Sequence, residues 1–77
     1  MENQNQNPIT KLAEAIQQLY GKNIETFVVS KVGKDHNPTI EVKILLPNEN
    51  EYFAEGGNQR IAKRLAAEKA LEAEDLI

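Results

Sequence analysis

The sequence predicts an α+β fold in the order α-β-β-β-α, with a three-stranded antiparallel sheet and two helices packed on one face. Three observations lead there. Apolar residues recur at helical spacing near each end of the chain. Three short runs of β-branched and aromatic residues lie between them. The breaks between those runs are short, so neighbouring strands pair antiparallel and leave the helices to cover one face.

The elements follow in order. Residues 1–7, MENQNQN, have nothing to bury, and a disordered polar tail is expected. Pro8 stands just ahead of a helical pattern, where its missing N–H costs little. Leu12, Ala15, Ile16 and Leu19 share one helical face, and Thr10, Glu14, Gln17 and Gln18 share the other. Gly21 is a natural stop, so the first helix is expected over Thr10–Tyr20. "TFVVSKV" reads as a strand, and "GKDHNP" breaks it with Gly33 and Pro38. "TIEVKILL" then alternates, with Ile40, Val42, Ile44 and Leu46 on one side and Glu41 and Lys43 on the other. "PNEN" is a turn, and "EYFAE" is a short third strand ended by Gly56 and Gly57. Asn58 is a good cap for a second helix over Gln59–Ala73. A chain of 77 residues holds one domain at most. It is placed at 8–74, with a short tail at 75–77.

Composition narrows the function. The formal charge of −3 argues against a general polyanion binder, so any nucleic-acid role must come from a local patch. There is no cysteine, hence no disulfide and no thiolate metal site. No apolar run approaches a membrane span, and the start lacks a signal-peptide pattern, so a soluble, cytoplasmic protein with no membrane partner is expected. His36 is the only histidine, with no cysteine or second histidine to join it in a metal site. Neither a Ser/His/Asp set nor a phosphate-loop glycine pattern is visible. Glu49, Glu51 and Glu55 read as solvated surface. The chain is therefore expected to be non-catalytic and to need neither a cofactor nor a metal.

The local patch is in "GGNQRIAKRLAAEKAL". At about 100° per residue, Arg60, Lys63 and Arg64 fall within an arc of about 100° at the start of the second helix. Ala62, Leu65, Ala66 and Ala70 take a separate arc, expected to face the sheet, and Lys69 is expected to snorkel out of it. Cations at a helix N-terminus are unfavourable by about 0.3–1 kcal/mol each. Glu72, Glu74 and Asp75 repeat the mismatch at the other pole. The plain reading is a solvated face whose charges are tolerated. The functional reading adds the free N–H groups of a helix end to three cations, an arrangement suited to phosphate.

These residues resemble the double-stranded RNA-binding domain family, of the kind found at the C-terminal end of bacterial ribonuclease III. "GKDHNPTIEV" is similar to the family's loop between its first two strands, Gly-Pro-x-His followed by a strand. "AEGGNQRIAKRLAAEKAL" is similar to its Gly-Glu-Gly-x-Ser-Lys-Lys-x-Ala-Lys-x-Ala-Ala run. The resemblance covers nearly everything from Pro8 to Leu71 and implies a partner, double-stranded RNA, bound by shape with little regard to sequence.

The resemblance also implies three contact regions. On the first helix, Glu14 matches a glutamate that accepts from a ribose 2′-OH, with Thr10, Lys11, Gln17 and Gln18 as polar neighbours. In the loop, His36 matches the histidine that reaches a second minor groove. Lys34 there replaces a common proline, Asn37 neighbours the histidine, and Pro38 and Gly33 shape the turn. On the second helix, Arg60 and Lys63 match the second and third lysines of the run. Gln59 stands at the first lysine, Asn58 at the serine, and Arg64 one position beyond, where it compensates for Gln59. Some members of the family keep the fold, lose lysines and dimerise through apolar surface. Gln59, the net acidity and Ile61 leave that alternative open, with a protein partner or a homodimer in place of RNA. A ribosomal protein of related fold is a weaker third reading, since such proteins are usually basic. The acidic catalytic signature of ribonuclease III is absent.

Overall fold

The computed structural model describes residues 7–34 and 36–76. The tail expected at 1–7 therefore lies outside the described residues except for Asn7, and Ile77 of the tail expected at 75–77 lies outside them too. The order is α1 (Pro8–Tyr20), β1 (Glu25–Lys34), β2 (Asn37–Leu45), β3 (Glu51–Gly56) and α2 (Gln59–Ala73). The strands form one antiparallel sheet in the order β1-β2-β3, as the sequence predicts.

Helix α1 starts earlier than expected because its cap precedes the proline. The Asn7 Oδ1 accepts from the Ile9 N–H at 2.8 Å, and Pro8 takes a first-turn position that needs no donor. Gly21 ends the helix at φ 71° and donates its N–H to the Gln17 carbonyl. Leu12 and Ile16 are fully buried, but Leu19 of the expected apolar face is 60% exposed. The last turn of α1 overhangs the core that the earlier turns reach.

The first hairpin is tighter than expected. Most of "GKDHNP" belongs to the ladder, with Gly33 paired to Pro38 and Lys34 to Asn37. Gly33 has φ 101°, and a Cβ there would stand 2.8 Å from the Asn37 carbonyl oxygen, so glycine is what lets the strands close so near the turn. A bulge falls between Val28 and Ser30.

Alternation along β2 sets the core. Val42, Ile44 and Leu46 are buried, and Ala54 joins them as the partner of Val42 on β3. Ile44, Leu46 and Ala54 pack with Leu12 and Ile16 of α1 and Ala66, Ala67, Ala70 and Leu71 of α2. Helix α2 lies against β2 and β3, and α1 leans on α2. Beyond α2, the Leu76 N–H donates to the Leu71 carbonyl, and the Leu76 side chain packs on the core. Among the described residues no helix is long and apolar enough to cross a membrane.

The carboxylate of Glu74, set against the helix dipole, is the hub of a polar network. It accepts from the Tyr52 hydroxyl, from Asn50 Nδ2 at 2.7 Å and from Asn48 Nδ2 at 3.0 Å. Asn48 Nδ2 also donates to the Tyr20 hydroxyl at 3.1 Å, so the end of α1, the β2–β3 turn, β3 and the end of α2 are joined. The hydrogen bond from Tyr52 holds the Glu74 carboxyl below its usual range, helped by Asn50 and Asn48 and opposed by burial. The same bond, with burial, pushes the Tyr52 hydroxyl up to about 12.

The signs of these shifts define a pH window. A depressed carboxylate adds stability above its unfolded value, about 4.3, and loses it as pH falls through the folded one. A raised phenol adds stability below its unfolded value, about 10, and loses it as pH climbs toward the folded one. Glu74→Gln should lower unfolding free energy at pH 7 by about 1–2 kcal/mol, the scale of a charged hydrogen bond lost at a half-buried site. It should also flatten the acid limb of stability below about pH 5. Urea unfolding of both proteins across that range checks it, and parallel acid limbs would mean that Glu74 is not the linked group.

Candidate nucleic-acid interface

One end of the molecule gathers the hairpin and second-helix residues singled out by sequence, together with the start of α1. The last pair of β2 with β3 is Ile40 with Gly56. The first hairpin continues beyond it through Thr39, Pro38 and Asn37, a projection of about 10 Å at strand rise. Helix α2 begins just after Gly56, at that same end. The start of α1 is there too, because Asn7 and Ile9 line one groove with Gln59, Arg60 and Lys63. At the opposite end, Asn48 ties Tyr20 to Glu74. Both helices therefore point their N-termini, with their partial positive charge, at the hairpin end.

The start of α2 is fixed by close backbone contact. A Cβ on Gly56 would stand 2.7 Å from Ile61 Cγ2 and 2.8 Å from the Ala62 backbone nitrogen. Only glycine lets β3 turn this sharply under the first turn of α2. Asn58 caps that turn, its Oδ1 accepting from the Ile61 N–H at 2.9 Å. Gln59, Arg60 and Arg64 are exposed and Lys63 is half-buried. Arg64 Nε lies 3.7 Å from Glu68 one turn on, which offsets part of its charge. Among the described residues no carboxylate pairs with Arg60 or Lys63.

The arcs on α2 differ from the expected ones. Leu65 is 40% exposed and does not join the buried face. Ala67 and Leu71 are buried in its place, and they share the azimuth of Arg60 and Lys63. One side of α2 thus changes from basic in the first turn to apolar further on. On that side the first turn lies beyond the cluster that holds Leu12 and Ile16, and the later turns enter it. Lys69 snorkels as expected, with Nζ reaching the Phe53 carbonyl at 2.7 Å.

The other two regions are open surface. Thr10, Lys11, Glu14 and Gln17 are exposed on the outer side of α1, and Glu14 and Gln17 share a shallow depression with Ala13, Gln18 and Asn23. Lys34, His36 and Asn37 are exposed at the hairpin tip, and Pro38 is half-buried. Asn7 and Ile9, which line the groove beside Arg60, were missed by the sequence reading. The Asn-Pro pair was their signal, since asparagine before a first-turn proline is a helix cap. Ile61 is 45% exposed, and its inner side fills the space over Gly56.

Comparison with known proteins gives the family. Residues 8–74 match the family described as "Double-stranded RNA binding motif". The chain is similar to Ribonuclease 3 of Bartonella bacilliformis, 39% identical over 49 residues that make up 64% of this chain and 21% of that protein. It is 37% identical to Ribonuclease 3 of Bartonella henselae over 49 residues, with the same coverage. The chain thus spans about a fifth of the length of these curated relatives.

The two neighbouring glycines make a controlled test. Gly57 has nothing within 4 Å of an added Cβ, so Gly57→Ala should be nearly neutral. Gly56→Ala should cost about 1–3 kcal/mol, the usual penalty of overpacking, because backbone must move. Asn58→Ala should cost about 1 kcal/mol through the lost cap. Urea denaturation of the three variants checks the order, and equal values for the two glycines would contradict the close approach at Gly56.

Proposed function

The chain belongs to the double-stranded RNA binding motif family, and from that premise we propose that it grips an A-form duplex with the hairpin end and the outer side of α1. The A-form major groove is too deep and narrow for base reading. What it offers a protein is a shallow minor groove lined with 2′-hydroxyls and a fixed spacing of phosphates. Thr10, Lys11, Glu14 and Gln17 enter one minor groove, where the Glu14 carboxylate accepts from a 2′-OH. Lys34, His36, Asn37 and Pro38 enter the next. Arg60, Lys63 and Arg64, with Gln59 and Asn58 beside them, meet the phosphates between the two.

One observation supports this reading above the rest. Two helix N-termini and a projecting hairpin share one end of the molecule, with Arg60 and Lys63 unpaired by any described carboxylate. That end offers concentrated positive potential in a chain whose net charge is −3. The site binds and does not catalyse, so the activity of the Ribonuclease 3 relatives is not carried over. The dimer reading has less support, because only part of Ile61 is exposed, its inner side lying over Gly56. A cytoplasmic location is proposed with the RNA partner.

A duplex of about 16 base pairs, the span of such a module, is the direct test. RNA should bind about tenfold tighter than DNA of equal length, the effect of one hydrogen bond to a 2′-OH of about 1.4 kcal/mol. Equal affinity for DNA would overturn the 2′-OH contact. Arg60→Ala and Lys63→Ala should each lower the slope of log affinity against log salt by about 1, whatever the duplex sequence. Gln59→Lys should raise the slope by about 1 and tighten binding at moderate salt. Unchanged slopes in all three variants would remove α2 from the interface. A wild-type dimer that ignores RNA and separates with Ile61→Glu would favour the interaction-module reading.

A further inference from the structure

The side of the sheet turned away from the helices is built unlike the rest of the surface. Val42 and Ile44 point into the core, so Glu41, Lys43 and Leu45 point outward. The register places their partners in rows across the sheet: Glu25, Leu45 and Glu51; then Phe27, Lys43 and Phe53; then Ser30, Glu41 and Glu55. Phe27 is 42% exposed and Phe53 40%. The middle row is therefore an aromatic belt, bordered on both sides by rows holding two carboxylates each.

The single cation of these rows is engaged within the face. Lys43 Nζ lies 3.4 Å from Glu51 Oε2 and 5.1 Å from the centre of the Phe27 ring. Among the described residues no cation pairs with Glu25, Glu41 or Glu55. The face thus combines uncovered aromatic surface with unneutralised negative charge, and it lies opposite the helices.

We propose that this face docks a cationic protein segment carrying aliphatic side chains. Its aliphatic groups cover Phe27 and Phe53, and its lysines or arginines meet Glu25, Glu41 and Glu55. A second copy of this chain is a poor occupant, because it would set two acidic faces against each other. Pairing at the sheet edges is also hindered. Lys69 occupies the Phe53 carbonyl on the β3 edge, and the bulge between Val28 and Ser30 bends the β1 edge. Duplex RNA is repelled by the same carboxylates, so protein and RNA would occupy opposite sides at once.

The test is a titration of the isotope-labelled chain with an amidated peptide of alternating lysine and leucine, followed by amide chemical shifts. A lysine–serine peptide of equal charge and a glutamate–leucine peptide are the controls. The lysine–leucine peptide should shift Phe27, Lys43 and Phe53 and bind about fivefold tighter than either control. The double variant Glu41→Gln, Glu55→Gln should weaken it about threefold without changing the unfolding midpoint. A 16-base-pair RNA duplex should leave its affinity unchanged. Equal binding of the lysine–serine peptide, or shifts confined to the helices, would overturn the proposal. So would a mass that grows with concentration and returns to monomer with Phe53→Thr, since a second copy would then be the occupant.

Discussion

The rest of the structure depends on how closely α2 approaches the sheet. Its buried side is made of Ala62, Ala66, Ala67 and Ala70, closed by Leu71, so the helix axis lies nearer the strands than a leucine face would allow. The missing side chain of Gly56 permits the same closeness at the corner where β3 passes into α2. Because the helix is held so near, Ala62 of its first turn is already buried, while Arg60 on the outer side of that turn is left in solvent beside the start of α1.

Charge is sorted by this arrangement. The sheet's outer side holds carboxylates, while the hairpin end holds cations and two helix N-termini. Net charge describes neither surface. A value of −3 is compatible with a cationic end because the carboxylates of the outer sheet side and the cations of α2 lie on different faces, and salt screens exposed charges beyond about 8 Å.

The two ends of α2 both carry charge opposed to the helix dipole, for different reasons. At its start, Arg60 and Lys63 are left without a described carboxylate partner, which suits a site that receives an anion. At its end, Glu74 is offset by three hydrogen-bond donors from Tyr52, Asn50 and Asn48. The first is a cost that the proposed binding of an anion would offset. The second is a structural tie between the helices and the sheet.

The sequence by itself determined the order of elements, the inward side of β2 and the cap at Asn58, and it named the three regions proposed as the interface. These are local properties: periodicity, capping chemistry and glycine placement act within a few residues and leave a readable pattern. It misplaced Leu19 and Leu65 and passed over Ala67 and Leu71, since periodicity finds a helix but not which side its neighbours cover. It took "GKDHNP" as a break, although most of that stretch pairs in the ladder. It could not read the purpose of Glu74 or the rows on the outer sheet face. Their partners lie on other elements, at sequence separations of 22 to 26 residues in the case of Glu74. Only the tertiary structure decided which residues meet across such distances, because register and helix placement bring them together and no local pattern encodes either.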